Sequence, residues 1–190
     1  MSMNPEDRTE HDPDALLMQE AALGSLSALA DLVRRHQGPL VNFFRRMGVY
    51  NDAEDLAQET FVRLYRARGR YRPTARFTTF LYVIARHVLA DHGRKWFRLT
   101  RLREGLKREA EVADGRGAPG RVSRLDVEAA LGSLSPKLRS VVVLNLYQGQ
   151  RQEEIAEILG IPVGTVKSRM NLALKALREY FDESDKMRLS

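Results

Sequence analysis

Residues 152–169 read Gln-Glu-Glu-Ile-Ala-Glu-Ile-Leu-Gly-Ile-Pro-Val-Gly-Thr-Val-Lys-Ser-Arg. Ala156, Gly160 and Val166 stand at the fifth, ninth and fifteenth positions of this unit. A helix-turn-helix needs a small residue where its helices touch and a glycine where the turn demands positive φ. It also needs a branched apolar residue where the second helix docks. The second helix then carries Thr165, Lys167, Ser168, Arg169 and Asn171, polar side chains suited to base edges and phosphates in a major groove. DNA is therefore the first partner to consider.

Two further constellations lie upstream. Asp52, Asp55, Gln58 and Glu59 fall along one side of a helical pattern, away from its apolar stripe. On residue type alone these carboxylates and this amide form an ordinary acidic, solvated helix face. Phe61 beside them fits an apolar anchor or the end of the core equally well. Next comes a basic loop with Arg70, Tyr71 and Arg72, followed by a helical pattern whose outer side offers Thr79, Tyr82, Arg86 and His87. Aromatic and cationic side chains in so basic a stretch suit a polyanion such as nucleic acid. Tyr71 and Tyr82 suit such a contact or the core. Trp96 and Phe97, between Arg94, Lys95 and Arg98, could grip DNA or close the domain.

Helices must position all of these residues. A first is expected over 14–23, with Leu16, Leu17 and Ala21 inward. A second covers 26–47, irregular at Gly38 and Pro39. Asn51 is expected to cap a third, with Glu54 as its reciprocal partner. That helix buries Ala53, Leu56, Ala57, Thr60 and Leu64 at i, i+3, i+4 spacing. A fourth, 75–97, turns Phe77, Phe80, Leu81, Ile84 and Val88 inward. Periodicity dissolves over 99–123, where 111–120 has the glycine, proline and polar content of a flexible linker. It returns at Leu125 and continues to about residue 181. Val141, Val142 and Val143 form a β-branched run, but they sit inside a helical pattern. The expectation is an all-α chain of two small helical domains, 12–98 and 124–184, joined by a linker over 99–123.

Composition narrows the function classes. Hydrophobic residues reach 43%, enough for folded cores, and the chain of 190 residues could hold one large domain or two small ones. It contains no cysteine, so disulfides and thiolate metal sites are excluded, which suits a reducing cytosol. The N-terminal residues are acidic and lack the apolar core of a secretory signal. No apolar run approaches the ~20 residues that span a bilayer. The formal net charge is +6. Its distribution is uneven: residues 61–108 hold fourteen Lys and Arg against Asp91 and Glu104, and residues 1–33 hold seven acids against Arg8. A basic middle beside an acidic end points to a polyanion. The four histidines form no metal-binding spacing, and no nucleophile array or phosphate-cradling loop is visible. The reading is a cytoplasmic non-enzyme without metal or cofactor.

Residues 51–65 closely resemble the core-polymerase-binding helix of bacterial sigma-70-family initiation factors. Residues 75–87 resemble that family's promoter-melting and −10-reading helix. Residues 134–139 and 152–169 resemble its −35-reading domain. The short two-domain chain resembles the extracytoplasmic-function (ECF) group. The resemblance implies that Asp52, Asp55, Gln58, Glu59 and Phe61 meet the polymerase, through the β′ coiled coil, with the β flap as a second contact. It implies that Arg70, Tyr71, Arg72, Thr79, Tyr82, Arg86 and His87 capture melted −10 DNA, and that Thr165, Lys167, Ser168, Arg169 and Asn171 read −35 duplex. An anti-sigma factor that wraps both domains is also implied. Several positions depart from the family pattern. Phe80 stands where Trp is usual, and His87 where Asn is common. Leu172 and Leu174 lie where relatives carry more Arg, which suits packing or a partner rather than phosphate. Arg151 stands where Ser often caps the helix, so a start weaker by about 1 kcal/mol is expected. A duplex-binding regulator that ignores polymerase is the alternative, and the acidic helix argues against it.

Overall fold

The computed structural model describes residues 12–103 and 124–189, with side chains described over 12–94 and 126–184. Every regular element there is helical. The linker segment 104–123, the acidic segment 1–11 and the side chains of Trp96 and Phe97 lie outside the described residues.

The first subdomain begins with α1, Pro13–Ala22. Asp12 caps it, its carboxylate accepting from the Asp14 N–H at 3.1 Å. The other Asp12 oxygen accepts from the Phe77 N–H at 2.8 Å. One carboxylate thus satisfies the first turns of two helices, both of which favour negative charge. In α1 the buried residues are Ala15, Met18 and Ala21, whereas Leu16, expected inward, is 56% exposed. The inward face is set one residue away, where small Ala15 and flexible Met18 permit close approach to α2.

Helix α2, Leu26–Arg46, starts on a Ser25 cap and runs unbroken through Pro39. The expected irregularity is absent. Pro39 and Gly38 are exposed, so the carbonyl that Pro39 leaves unpaired can be hydrated. Helix α3, Ala53–Ala67, buries the five residues its periodicity requires. Its cap is Asp52 and not Asn51, and no side chain makes the capping bond; Glu54 turns instead to Arg45 at 3.3 Å. A short tight turn, Arg68–Arg70, leads towards α4. Helix α4, Phe77–Arg103, continues well past residue 97. Arg and Leu dominate that extension, both good helix formers, and no glycine or proline interrupts it before Gly105.

The second subdomain holds α5, Arg124–Ser133, and α6, Pro136–Val142. The β-branched run is helical, and it leads into one wider turn, Val143–Tyr147, in which the Gln148 N–H reaches the Val143 carbonyl five residues back. Helices α7, Gln152–Leu159, and α8, Val163–Leu189, complete it; α8 runs past the expected end near 181. The two subdomains touch: α7 lies along α4, and the wider turn lies on α2.

Candidate nucleic-acid and partner interfaces

The acidic face of α3 is built by its own spacing. Because Leu56, Ala57, Thr60 and Leu64 point inward, Asp55, Gln58, Val62 and Tyr65 share the outward stripe at i, i+3, i+7 and i+10. Asp55 and Gln58 are exposed and make no hydrogen bond or ion pair among the described residues. Val62 and Tyr65 are 42% and 39% exposed. These two were not among the expected partner residues, although helical spacing from Gln58 would have found them. The Arg68 guanidinium lies 3.8 Å over the Tyr65 ring. The other expected members are engaged within the chain. Asp52 meets His92 at 2.8 Å. Glu59 accepts from Arg63 Nε at 2.8 Å. Phe61 is half-buried and packs on the core.

Arg63 also donates to Asp91 at 2.6 Å, and Arg94 pairs with the same carboxylate. The hydrogen bond from Arg63, with further help from Arg94, holds the Asp91 carboxyl below its ordinary range. Bonds to Glu59 and then Asp91 push the Arg63 guanidinium up. Glu59 is thereby largely neutralised from inside, leaving Asp55 as the open negative charge of the stripe.

The expected −10 residues do not form one open face. Arg70 and Arg72 are exposed, and Arg72 donates to the Tyr71 carbonyl at 3.0 Å. Tyr71 itself is 6% exposed, its ring 5.2 Å from Phe80 and 6.5 Å from Phe77. Burial, with Asp12 nearby, pushes its hydroxyl up to about 12. Thr79 is fully buried and its hydroxyl has no partner among the described residues. Tyr82 is 2% exposed, 5.3 Å from the Phe43 ring, and donates to Gln148 of the second subdomain. Burial raises its hydroxyl as well. The outer side of α4 is thus a correction to the sequence reading. Tyr71 packs on Phe77 and Phe80 of its own subdomain, Tyr82 lies between Phe43 and Gln148, and α7 runs along α4. Arg86 is half-buried and pairs with exposed His87 at 2.8 Å. Partial burial and then Arg86 hold the His87 imidazole below its ordinary value.

In the helix-turn-helix, Gly160 adopts φ 64° and ψ 41°, the left-handed turn its position requires. The Ile161 N–H closes the turn on the Ala156 carbonyl at 3.0 Å. Val166, Met170 and Ala173 face inward at i, i+4 and i+7. Lys167, Ser168 and Asn171 are consequently exposed, with Thr165 and Arg169 half-buried beside them. Ser168 donates to the Thr165 carbonyl at 3.0 Å. Leu172 and Leu174 are 58% and 46% exposed, so neither packs fully within the chain. The start of α7 is firmer than Arg151 suggests: the Glu154 carboxylate accepts from the Arg151 N–H at 2.7 Å. Glu154 is buried, whereas Glu153 is exposed.

Long-range contacts supply residues that no local pattern marks: Gln148, Gln150, Arg139 and Tyr147. Arg139 donates to the Gly132 carbonyl at 2.6 Å, to Leu134 at 3.1 Å and, across the subdomains, to Met47 at 3.4 Å. A Cβ on Gly48 would stand only 2.9 Å from Arg139 Nη1, and Gly48 has φ +93°. Desolvation lowers the Arg139 pKa. Among the described residues no three His, Asp or Glu side chains could hold a metal, and no helix is long and apolar enough to cross a membrane.

Residues 32–97 match sigma-70 region 2, and residues 124–177 match sigma-70 region 4. The chain is 31% identical to the RNA polymerase sigma factor CnrH of Cupriavidus metallidurans, over 95% of this chain and 97% of that one. It is 35% identical to the ECF RNA polymerase sigma factor SigE of Mycolicibacterium smegmatis, over 79% of this chain, and spans 60% of that relative's length. The solved structure of CnrH in complex with the cytosolic domain of CnrY superposes with a TM-score of 0.69, at 28% identity, covering 90% of this chain and 99% of that one. The sigma factor RpoE in complex with the anti-sigma factor NepR, from Bartonella quintana, gives 0.70 at 25% identity, covering 80% and 96%. With both regions matched in order, on an all-helical chain that carries a formed helix-turn-helix, this protein belongs to the ECF group of sigma-70-family RNA polymerase sigma factors.

Proposed function

We propose that the outward stripe of α3 docks on the β′ coiled coil of core RNA polymerase, with Asp55 and Gln58 as its polar contacts and Val62 and Tyr65 as its apolar ones. Asp52, Glu59 and Phe61 support that face from its flanks. The second subdomain, residues 124–184, sits near the β flap and reads −35 duplex with Thr165, Lys167, Ser168, Arg169 and Asn171. Arg169 to guanine would contribute ~1–3 kcal/mol of discrimination. The first, residues 12–98, captures melted −10 DNA with Arg70, Arg72, Arg86 and His87, which keep exposed surface. The protein works where the polymerase works, in the cytoplasm. An anti-sigma factor regulates it, a reading supported by the solved relative RpoE, seen in complex with the anti-sigma factor NepR.

The observation that carries the reading is the coexistence, on one chain, of an exposed acid-amide-apolar stripe and a reading helix with its polar side outward. A duplex-only regulator has no use for the first. Asp55→Arg with Gln58→Ala should weaken binding to purified core polymerase by about tenfold or more. Duplex binding by the second subdomain should stay unchanged. Equal polymerase affinity would reject the assigned face.

A further inference from the structure

We infer that Leu172 is a base-reading residue of α8, its side chain packing against the C5-methyl group of a thymine in the −35 duplex. Leu172 is 58% exposed, a large apolar side chain beside the polar residues Ser168 and Asn171, which are exposed with it. It stands seven residues after Thr165, four after Ser168 and three after Arg169. Residues at i, i+3, i+4 and i+7 share one side of a helix. Helices laid in a major groove reach base edges with that spacing. From Thr165 to Leu172 the helix rises about 10 Å at 1.5 Å per residue, which matches about three base-pair steps of 3.4 Å. Leu172 is therefore within reach of the same stretch of bases that Thr165, Ser168 and Arg169 face.

Neither the core nor a protein docking face accounts for this leucine. The inward side of α8 is filled by Val166, Met170 and Ala173, and Leu172 lies well round the helix from them. Leu174, 46% exposed, is two residues further on, about 200° round the axis. The two leucines thus point to opposite flanks and form no continuous apolar patch of the size that marks a protein interface. The exposed surface about Leu172 is polar. Ser168 stands one turn before it, and Lys175 follows it, paired with Glu179 at 3.8 Å. A single large apolar side chain in such a setting matches a single apolar group among hydrogen-bonding edges.

The major groove offers one such group. Every base pair presents donors or acceptors there, and only A·T pairs add a methyl, on C5 of thymine. Leucine can neither donate to guanine nor neutralise a phosphate, so its contribution has to be apolar contact. That contact favours an A·T pair at one position and is indifferent elsewhere. Taking the methyl away should weaken binding by about three- to fourfold, the value of one buried methylene-sized group.

The inference rests on the reading of α8 as the −35 helix, and its test separates the two. Duplexes are first selected from a random library with the reconstituted holoenzyme. Each thymine of the upstream block is then replaced singly by deoxyuridine, which lacks only the C5-methyl. One replacement should weaken binding by the parent holoenzyme about three- to fourfold. Leu172→Ala should bind the thymine and uracil duplexes equally, whereas Arg169→Ala should keep the difference. Leu172 is exposed and alanine favours helix, so this variant keeps its fold. An upstream block of G·C pairs alone, no uracil sensitivity at any position, or the same sensitivity in the parent and in Leu172→Ala overturns the inference. Where Arg169→Ala still loses base discrimination, those results leave the −35 reading of α8 standing. If no upstream block is selected, or neither variant alters base preference, the reading of α8 falls together with the inference.

Discussion

Tyr71 and Tyr82 show how residue type and residue role separate. Both have the chemistry to stack a base, yet both rings are buried and both hydroxyls are raised by desolvation. The Tyr71 hydroxyl moves from its ordinary 10.0 to about 12. A group whose folded pKa is raised favours the fold fully below its unfolded pKa, and that contribution is lost as pH rises through the folded value. Stability should therefore drop between about pH 10 and 12. Tyr71→Phe should lose less over that window than the parent, by denaturant unfolding at both ends. An identical loss would place the Tyr71 hydroxyl in solvent. His87 behaves in the opposite sense, being exposed and held below its ordinary pKa. If it meets DNA phosphate, its imidazole should titrate higher in the complex than in the free chain. An NMR titration that finds no upward change would remove His87 from the interface.

At the scale of elements, the left-handed turn after α7 is where one residue sets the geometry of the reading helix. A Cβ at Gly160 would meet nothing within 4 Å, so its cost is purely that of the backbone conformation, about 1–2 kcal/mol. Gly160→Ala should lower the melting midpoint by roughly 4–8 °C or more. An unchanged midpoint would mean that the turn is not under that constraint. This turn was legible in the sequence, as were the buried residues of α3 and the outward side of α8. Each follows from spacing within a single helix. Errors arose where a neighbour decides the outcome. Leu16 is displaced from the core by Ala15 and Met18, Asn51 loses the cap to Asp52, and Glu154 is turned inward to hold the Arg151 N–H. Asp12 is the same lesson across a longer range, since its bond to the Phe77 N–H spans sixty-five residues. Asp12→Ala should release the starts of α1 and α4 together and cost about 1 kcal/mol or more in urea unfolding. A loss confined to a few tenths would show that the bridge is not maintained in solution.

At the scale of the molecule, charge and connectivity organise the division of labour. The acidic stripe of α3 is exposed, as is the polar side of α8, whereas Thr79 and Tyr82 of α4 are buried, with Tyr82 bonded to Gln148 of the second subdomain. No sequence pattern reveals that contact between the subdomains, because Gln148 and Gln150 belong to no motif and acquire meaning only through Tyr82 and Thr78. The most direct test is selection from a random duplex library, performed once with the reconstituted holoenzyme and once with the chain alone. The holoenzyme should enrich two sequence blocks at a fixed separation, with the downstream block dependent on core polymerase. Enrichment of one block only, or of the same two blocks by the chain without polymerase, would contradict the account.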